Sequence, residues 1–255
     1  MTVAFTFTLL AAASSVLAQC TYSSLQGVTT SYISAQTSGE PTNFTSTSIY
    51  TENFLPADIA TGILSQALTI DHTRSIHDTV ACATFTEIVV ANGPAHYVIG
   101  TQIRLIDGQV NQIDSIITTE GDWLFNATGT LRWAKQEEWR VIPEESRDTR
   151  ETIQAGADAY LDLFNDPTVE VPWGTPCARL EGGLYSGSGQ PNDTCNVGVP
   201  SGVPLVDRRY VIDETLGAVD VFLDFNGPGG RPDSHQFRLE NGKLRFVHTM
   251  TYMRG

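Results

Sequence analysis

The chain has 255 residues, 41% of them hydrophobic, with 15 basic against 29 acidic side chains and a formal net charge of −14. So acidic a surface argues against nucleic acid or an anionic membrane as partner, because both reward clusters of Lys and Arg. The length suits one large domain or two small ones with a substantial core.

The chain opens MTVAFTFTLLAAASSVLAQC. This apolar run ends at Val16-Leu17-Ala18, with small residues where a signal peptidase cuts, and it is too short and wrongly flanked for a membrane anchor. No Lys or Arg precedes the run. Residues 1–18 are expected to be a signal peptide and the mature chain to be secreted. Three sequons, at Asn43, Asn126 and Asn192, and an even number of cysteines agree with that compartment. Four cysteines allow three pairings. Cys20–Cys82 and Cys177–Cys195 are preferred, the second because it encloses GGLYSGSGQPND, a loop with too little apolar content to fold on its own. Such a bridge contributes about 3 kcal/mol. The alternative leaves Cys82 as a buried free thiol.

A first unit spans 19–125. Leu25, Val28, Tyr32 and Ile33 recur at helical spacing and predict a helix over 22–36, ended by a Thr/Ser-rich stretch. Residues 56–64 predict a second short helix with Pro56 in its first turn. Strands follow at 80–90, 95–106 and 110–119, joined by turns at Asn92-Gly93-Pro94 and Asp107-Gly108. The polar run Asp71 to Asp78 invites a metal reading, but alternation along one strand would put His72 and Arg74 on one face and His77 on the other, so no metal is expected. Residues 121–147 read as a bridge rich in Trp, Glu and Arg, with the connector between the units at 126–147. Trp123, Trp133 and Trp139 read as the cover of an interface rather than as ligand contacts.

A second unit spans 148–255. Its helix carries the stripe Ile153, Ala157, Tyr160, Leu161 and Phe164, with Asp148 as N-cap and Glu151 three residues on. Strands are expected at 210–213, 218–225, 235–240 and 244–253. The two units share a segment: QIRLIDGQV at 102–110 returns as QFRLENGKL at 236–244, an offset of 236 − 102 = 134. The fold class that follows is α+β: tandem cone-shaped rolls, each a helix in the concave side of a curved antiparallel sheet, paired as an internal pseudo-dimer in a monomeric chain.

The stretches DTRETIQAGADAYLDLF, VPWGTPCARLEGG, DRRYVIDETLGAVDVFLDF and DSHQFRLENGKLRFVHTM resemble the nuclear transport factor 2-like, or SnoaL-like, superfamily. They are especially similar to a secreted, largely fungal domain of unknown function in which a more divergent unit precedes this one. The resemblance covers most of 148–253. It implies a pocket at the open end of the roll and a choice among isomerase, dehydratase, cyclase or plain binding functions.

Within that frame His248 is the first candidate acid/base, sharing a strand face with Phe246, Met250 and Tyr252. The competing reading is a core histidine bonded to a backbone carbonyl. Asp220, Phe222 and Asp224 alternate onto one face. They read either as solvated or as the source, with Asp213, of a carboxylate that orients His248 or His235. His235 itself, near a strand start, reads as exposed. The offset pairs His248 with Asp114, since 248 − 134 = 114. Asp114 reads as a second pocket carboxylate or as exposed. Trp173, Tyr210, Phe246 and Tyr252 would shape apolar walls, and Arg179 would close over an anionic or enol oxygen. Arg208 and Arg209 read as a strand-edge ion network. No P-loop, dinucleotide fingerprint, zincin motif or nucleophile elbow occurs, so no cofactor is expected. The expected function is cofactor-free isomerisation, cyclisation or dehydration of a small apolar secondary metabolite, a polyketide or terpenoid. The alternative is a secreted, non-catalytic carrier of a small hydrophobic ligand.

Overall fold

A computed structural model describes residues 20–253. The expected signal peptide lies outside them. Among the described residues are three helices and two six-stranded sheets, in two similar halves. None of these helices is long and apolar enough to cross a membrane.

The N-terminal half begins with α1 (Tyr22–Ser38), capped by the Thr21 hydroxyl on the Ser24 amide and closed by Gly39 at φ 69°. Its sheet comprises β1 (Ile49–Glu52), β2 (Leu55–Pro56), β3 (His72–Asp78), β4 (Ala83–Val90), β5 (Tyr97–Ile106) and β6 (Gln109–Thr118), in the order β2-β1-β6-β5-β4-β3. A short helix, α2 (Ala127–Ala134), lies in the connector. The C-terminal half repeats the plan with α3 (Arg150–Leu163), β7 (Trp173–Glu181), β8 (Leu184–Tyr185), β9 (Leu205–Asp213), β10 (Ala218–Phe225), β11 (Arg231–Glu240) and β12 (Lys243–Thr251), in the order β8-β7-β12-β11-β10-β9.

Four expectations are corrected. The sheets are mixed, because β1 runs parallel to β6 and β7 parallel to β12. Residues 56–64 hold no α-helix: Leu55–Pro56 form the second arm of a hairpin turned by Asn53 and Phe54 at φ 50° and 62°, and only Ile63–Ser65 coil as a 3-10 turn. The Thr149 hydroxyl, not Asp148, caps α3, while Asp148 accepts from the Gly242 amide at 2.8 Å. Residues 72–78, read as a polar cluster, form β3.

The repeat extends beyond its quoted segment. Both hairpins turn on paired positive-φ residues, Asp107-Gly108 and Asn241-Gly242, whose twist suits a two-residue loop. Both carry a register shift at the same place, after Arg104 and after Arg238. The helices align as well: Tyr32 and Tyr160 are both buried on the sheet-facing side.

Each helix packs on one face of its own sheet. Leu25, Tyr32, Ile88, Ile99, Ile103 and Ile113 make one core; Ile153, Tyr160, Val219, Val221, Phe237 and Val247 make the other. A third core draws on both halves, with Ile76, Phe85, Val89 and Ile116 meeting Val211, Phe222 and Met250. Fully burying each such side chain stabilises by roughly 1.5–3 kcal/mol. The approach is close enough that a Cβ on Gly100 would stand 2.9 Å from both Met250 Sδ and the Phe85 ring.

Two carboxylates tie the halves together reciprocally. Asp78 accepts from the Ile212 amide at 2.9 Å, and Asp213 accepts from the His77 amide at 2.9 Å. Each also caps the turn after its own strand: Asp78 takes the Val80 and Ala81 amides, Asp213 those of Thr215 and Leu216. Each further receives the first residue of the other half's helix. Arg150 grips Asp78 with two bonds of 2.7 Å, and the Tyr22 hydroxyl reaches Asp213 at 3.0 Å. Asp213 is thus a cross-link between halves and not a partner of His248. Asp78→Ala strands the Arg150 guanidinium and three amides, and is expected to cost about 3–5 kcal/mol. Urea unfolding measures this, and a loss under 1 kcal/mol would contradict the cross-link.

Both disulfides have the preferred connectivity, Cys20–Cys82 and Cys177–Cys195, so Cys82 is not free. The side chains of Asn43, Asn126 and Asn192 are exposed, although Asn126 also caps α2 through the Gly129 amide.

Candidate functional site

The residues first nominated for catalysis do not converge. His248 lies on the face of β12 that meets the other sheet, 2% exposed. Its Nδ1 lies 2.8 Å from Glu87 and its Nε2 2.7 Å from Glu137 in the connector. With both nitrogens facing carboxylates the ring is an imidazolium. Burial opposes that charge, but the two glutamates outweigh it and raise His248 to about 9. Burial likewise opposes the charge on Glu87, yet His248 and Arg74 hold its carboxyl down at about 2. Arg74 completes the cluster, 3.9 Å from Glu87 and 3.8 Å from Glu137, with its guanidinium 4.1 Å from the centre of the Trp139 ring. It also comes within 3.4 Å of His248, a like-charge contact that the two glutamates offset. The space beside His248 amounts to about 10 Å³, room for one water and no substrate.

Asp220 is buried 14 residues before Ser234, whose hydroxyl it accepts at 2.7 Å; its other oxygen accepts from Gln102 of the opposite sheet, also at 2.7 Å. Its face of β10 is an inter-sheet face, not a solvated one. Burial pushes its carboxyl up to about 8, against the pull of the Gln102 and Ser234 bonds and of Arg104. Asp114, also read as exposed, is 2% exposed and accepts from Thr51 and Gln112 on the same inter-sheet side. Phe246 stacks on Trp139, and Tyr252 packs into the shared core. Tyr210 donates to Asp158 at 2.6 Å, and Trp173 meets Tyr160 edge-on without lining a cavity. Arg208 pairs with Asp158 and Asp162 of α3, while Arg209 stacks on Phe54. His77 packs against α1 through Thr29 and Tyr22, on the opposite face of β3 from Arg74.

An apolar-walled cavity of about 480 Å³ lies on the other face of the C-terminal sheet, beneath the end of α3; a more polar groove of about 600 Å³ lies elsewhere, lined by Trp133, Tyr185, Arg245 and Phe246. Strand alternation sets the polar floor of the apolar-walled cavity. Arg179 and Glu181 on β7, His235 on β11, and Thr249 and Thr251 on β12 point the same way. Phe164, Val203 and Phe225 form apolar walls, and Trp123, just before the connector, stands at the edge with Met253. The loop that carries Val203 is anchored by the Cys177–Cys195 bridge, and the Cys195 carbonyl accepts from Arg179 at 3.4 Å. Asp122 holds the Met253 amide at 2.6 Å, so the segment before the connector and the chain end share one edge of the cavity.

Among the nominated residues, Arg179 lines this cavity, together with His235, the alternative to His248. His235, read as exposed, is 1% exposed. Its Nδ1 lies 2.8 Å from Asp233, out of hydrogen-bond alignment, so both atoms keep no hydrogen-bond partner. Asp233 is held from the other side by Thr251 at 2.7 Å. Arg179 pairs with Glu181 at 2.5 Å but leaves its Nε unpartnered, as are the Thr249 and Tyr160 hydroxyls. Tyr160 packs on His235 and Phe164, and burial raises its phenol well above the ordinary value against the lowering effect of Arg179, so it remains a donor. Five buried polar atoms without a well-aligned hydrogen bond thus gather on or beside one cavity; His235 Nδ1 and the Asp233 carboxylate face each other at 2.8 Å, and the Tyr160 hydroxyl faces Arg179. The signal was present in the sequence: His235, Phe237 and Leu239 share one strand face, and the last two are core residues.

His248 and Asp220 both hold their proton more tightly folded than unfolded. The stability that His248 contributes is complete below its unfolded value near 6.5 and is lost as pH rises to about 9. That of Asp220 declines from pH 3.8 to about 8. Stability is therefore expected to fall from pH 6.5 upward, each group adding a slope of up to about 1.4 kcal/mol per pH unit. Urea unfolding at pH 6, 7.5 and 9 should show a flatter slope for His248→Gln; equal slopes would remove the imidazolium from the account.

Residues 146–251, which contain α3 through β12 and hence the cavity floor, match a family described as "Domain of unknown function (DUF8021)". No curated protein matches the chain.

Proposed function

We propose that the protein is a secreted enzyme of the nuclear transport factor 2-like type that moves protons on a small, largely apolar molecule in the C-terminal cavity, without a cofactor. The observation that carries the reading is the gathering of unpartnered Asp233, His235, Arg179, Thr249 and Tyr160 atoms at one apolar-walled cavity. In that arrangement His235 removes a proton from a carbon beside a carbonyl and returns it elsewhere, or carries it to a departing hydroxyl. The Asp233 carboxylate, 2.8 Å from Nδ1, stabilises the positive charge that His235 gains. The Arg179 Nε and the Thr249 hydroxyl donate to the oxygen on which negative charge builds up. Isomerisation, dehydration and cyclisation all use these moves. Two disulfides and three exposed sequon asparagines support secretion and glycosylation. The reciprocal bonds of Asp78 and Asp213 support an internal pseudo-dimer within a monomer.

The test is deuterium exchange into the α-carbon of 2-tetralone, a bicyclic ketone, followed by NMR in heavy water. Wild type is expected to accelerate exchange over buffer, and His235→Ala to lose about 10²–10⁴-fold. His248→Gln, outside the cavity, should retain exchange wherever it folds. If wild type binds 2-tetralone without exchanging it, the cavity belongs to a carrier instead.

A further inference from the structure

We infer that the C-terminal cavity is the open form of a site that the N-terminal half closes with its own side chains, and that it accepts a neutral molecule bearing a hydroxyl or carbonyl oxygen in preference to a carboxylate or phosphate. The inference rests on reading that cavity as a ligand site.

The two halves can be compared position by position. The helices are offset by 160 − 32 = 128, matching Tyr32 to Tyr160 and the capping Thr21 to Thr149. The central strands are offset by 134, matching Thr101 to His235 and Ser115 to Thr249. In the N-terminal half these three positions form one closed chain. The Tyr32 hydroxyl meets Thr101 at 2.7 Å, and Thr101 meets Ser115 at 2.8 Å, all buried. Phe44, Tyr50 and Leu64 fill the surrounding space. In the C-terminal half the Tyr160 hydroxyl, His235 Nδ1 and Thr249 hydroxyl occupy the same three positions but do not hydrogen-bond one another, His235 Nδ1 facing Asp233 instead, and the last two residues line the cavity. The polar positions are retained while the contacts that closed them are gone. What belongs among them is an oxygen that bonds two of these positions at once, as the Thr101 hydroxyl bonds Tyr32 and Ser115 in the closed half.

Charge decides the class of that oxygen. The buried cation of the floor, Arg179, is already neutralised by Glu181 at 2.5 Å. Asp233 stands on the same floor with an unpartnered oxygen. The other cation among the lining residues, Arg231, is exposed. An anionic ligand placed at His235 would meet two carboxylates and one committed guanidinium, whereas a neutral hydroxyl or carbonyl loses nothing by entering. Removing an anion from water without a free countercharge is strongly unfavourable.

Calorimetric titration of the full secreted chain at pH 7 with 2-naphthol and with 2-naphthoate, the same ring system bearing a neutral and an anionic group, tests this. Saturable binding of 2-naphthol with at least tenfold weaker 2-naphthoate is expected. Equal or tighter binding of the naphthoate overturns the neutral-ligand inference and leaves the cavity standing as a ligand site. Binding of neither at millimolar concentration sinks both. A second arm installs the N-terminal residues in the C-terminal half, as His235→Thr with Thr249→Ser. Loss of 2-naphthol binding by tenfold or more with an unchanged circular dichroism spectrum supports the equivalence, and unchanged affinity refutes it.

Discussion

Two buried carboxylates determine how the halves of this chain face one another. Asp78 and Asp213 end the first strand of the antiparallel run in each half, and each accepts a backbone amide from the other half's equivalent strand. A carboxylate cannot be buried at this depth without several donors. Here the donors come from three places at once: the turn that follows, the opposite strand, and the start of the opposite helix. Satisfying either aspartate therefore fixes the register of β3 against β9 and the entry of both helices. The apolar contacts of the shared core are less directional; the carboxylates select one arrangement among those that would bury similar area.

With that crossing fixed, the inter-sheet face tolerates charge. Matching the strands through the pairs Phe85–Gln102 and Asp220–Gln236 places Phe85 opposite Asp220 in the repeat, and Glu87 opposite Phe222. Each half contributes one acid and one phenylalanine, in exchanged positions. The two rings meet edge to face with centroids 6.1 Å apart, and the two acids are displaced to separate sides. Around Glu87 gather Arg74, His248 and the connector's Glu137; around Asp220 gather Gln102 and Ser234. The connector thus does more than span the halves, since Glu137 and Trp139 complete the charge balance of a cluster that neither sheet satisfies alone.

This explains which parts of the molecule were legible in the sequence. The strands, the duplicated hairpin and the disulfide pairing follow from local signals: alternation, Asp-Gly and Asn-Gly turns, and a loop too polar to hold itself. β1 was not legible, because Ile49–Glu52 is short and pairs in parallel with a strand more than 50 residues away. The candidate site failed for a different reason. Alternation separates the two faces of a strand but does not say which one is covered by the helix and which by another sheet. Pairing Asp220 with His248 takes their strand faces for a pocket wall, whereas both faces are packed against the other half. Nearness to a loop makes His235 read as exposed, whereas β11 begins at Arg231 and buries the histidine four residues in. A chain with two sheets back to back has two buried faces per strand, so polarity no longer marks the solvent side.

The same geometry bears on why one half keeps a cavity. Every open apolar cavity forgoes contacts, at a cost that rises with its volume. In the N-terminal half Tyr32, Thr101 and Ser115 bond to one another beneath a filled interior, so the equivalent positions are closed there. That half presents to its neighbour a rigid sheet face, two helix-start contacts and, through Trp123, an edge of the cavity. The C-terminal half retains the cavity and its unpartnered polar atoms while leaning on that neighbour through Arg150–Asp78 and Tyr22–Asp213. Two similar halves thus separate two demands that conflict within one: a closed interior that stabilises, and an open one whose buried donors and acceptors remain available to something other than the protein itself.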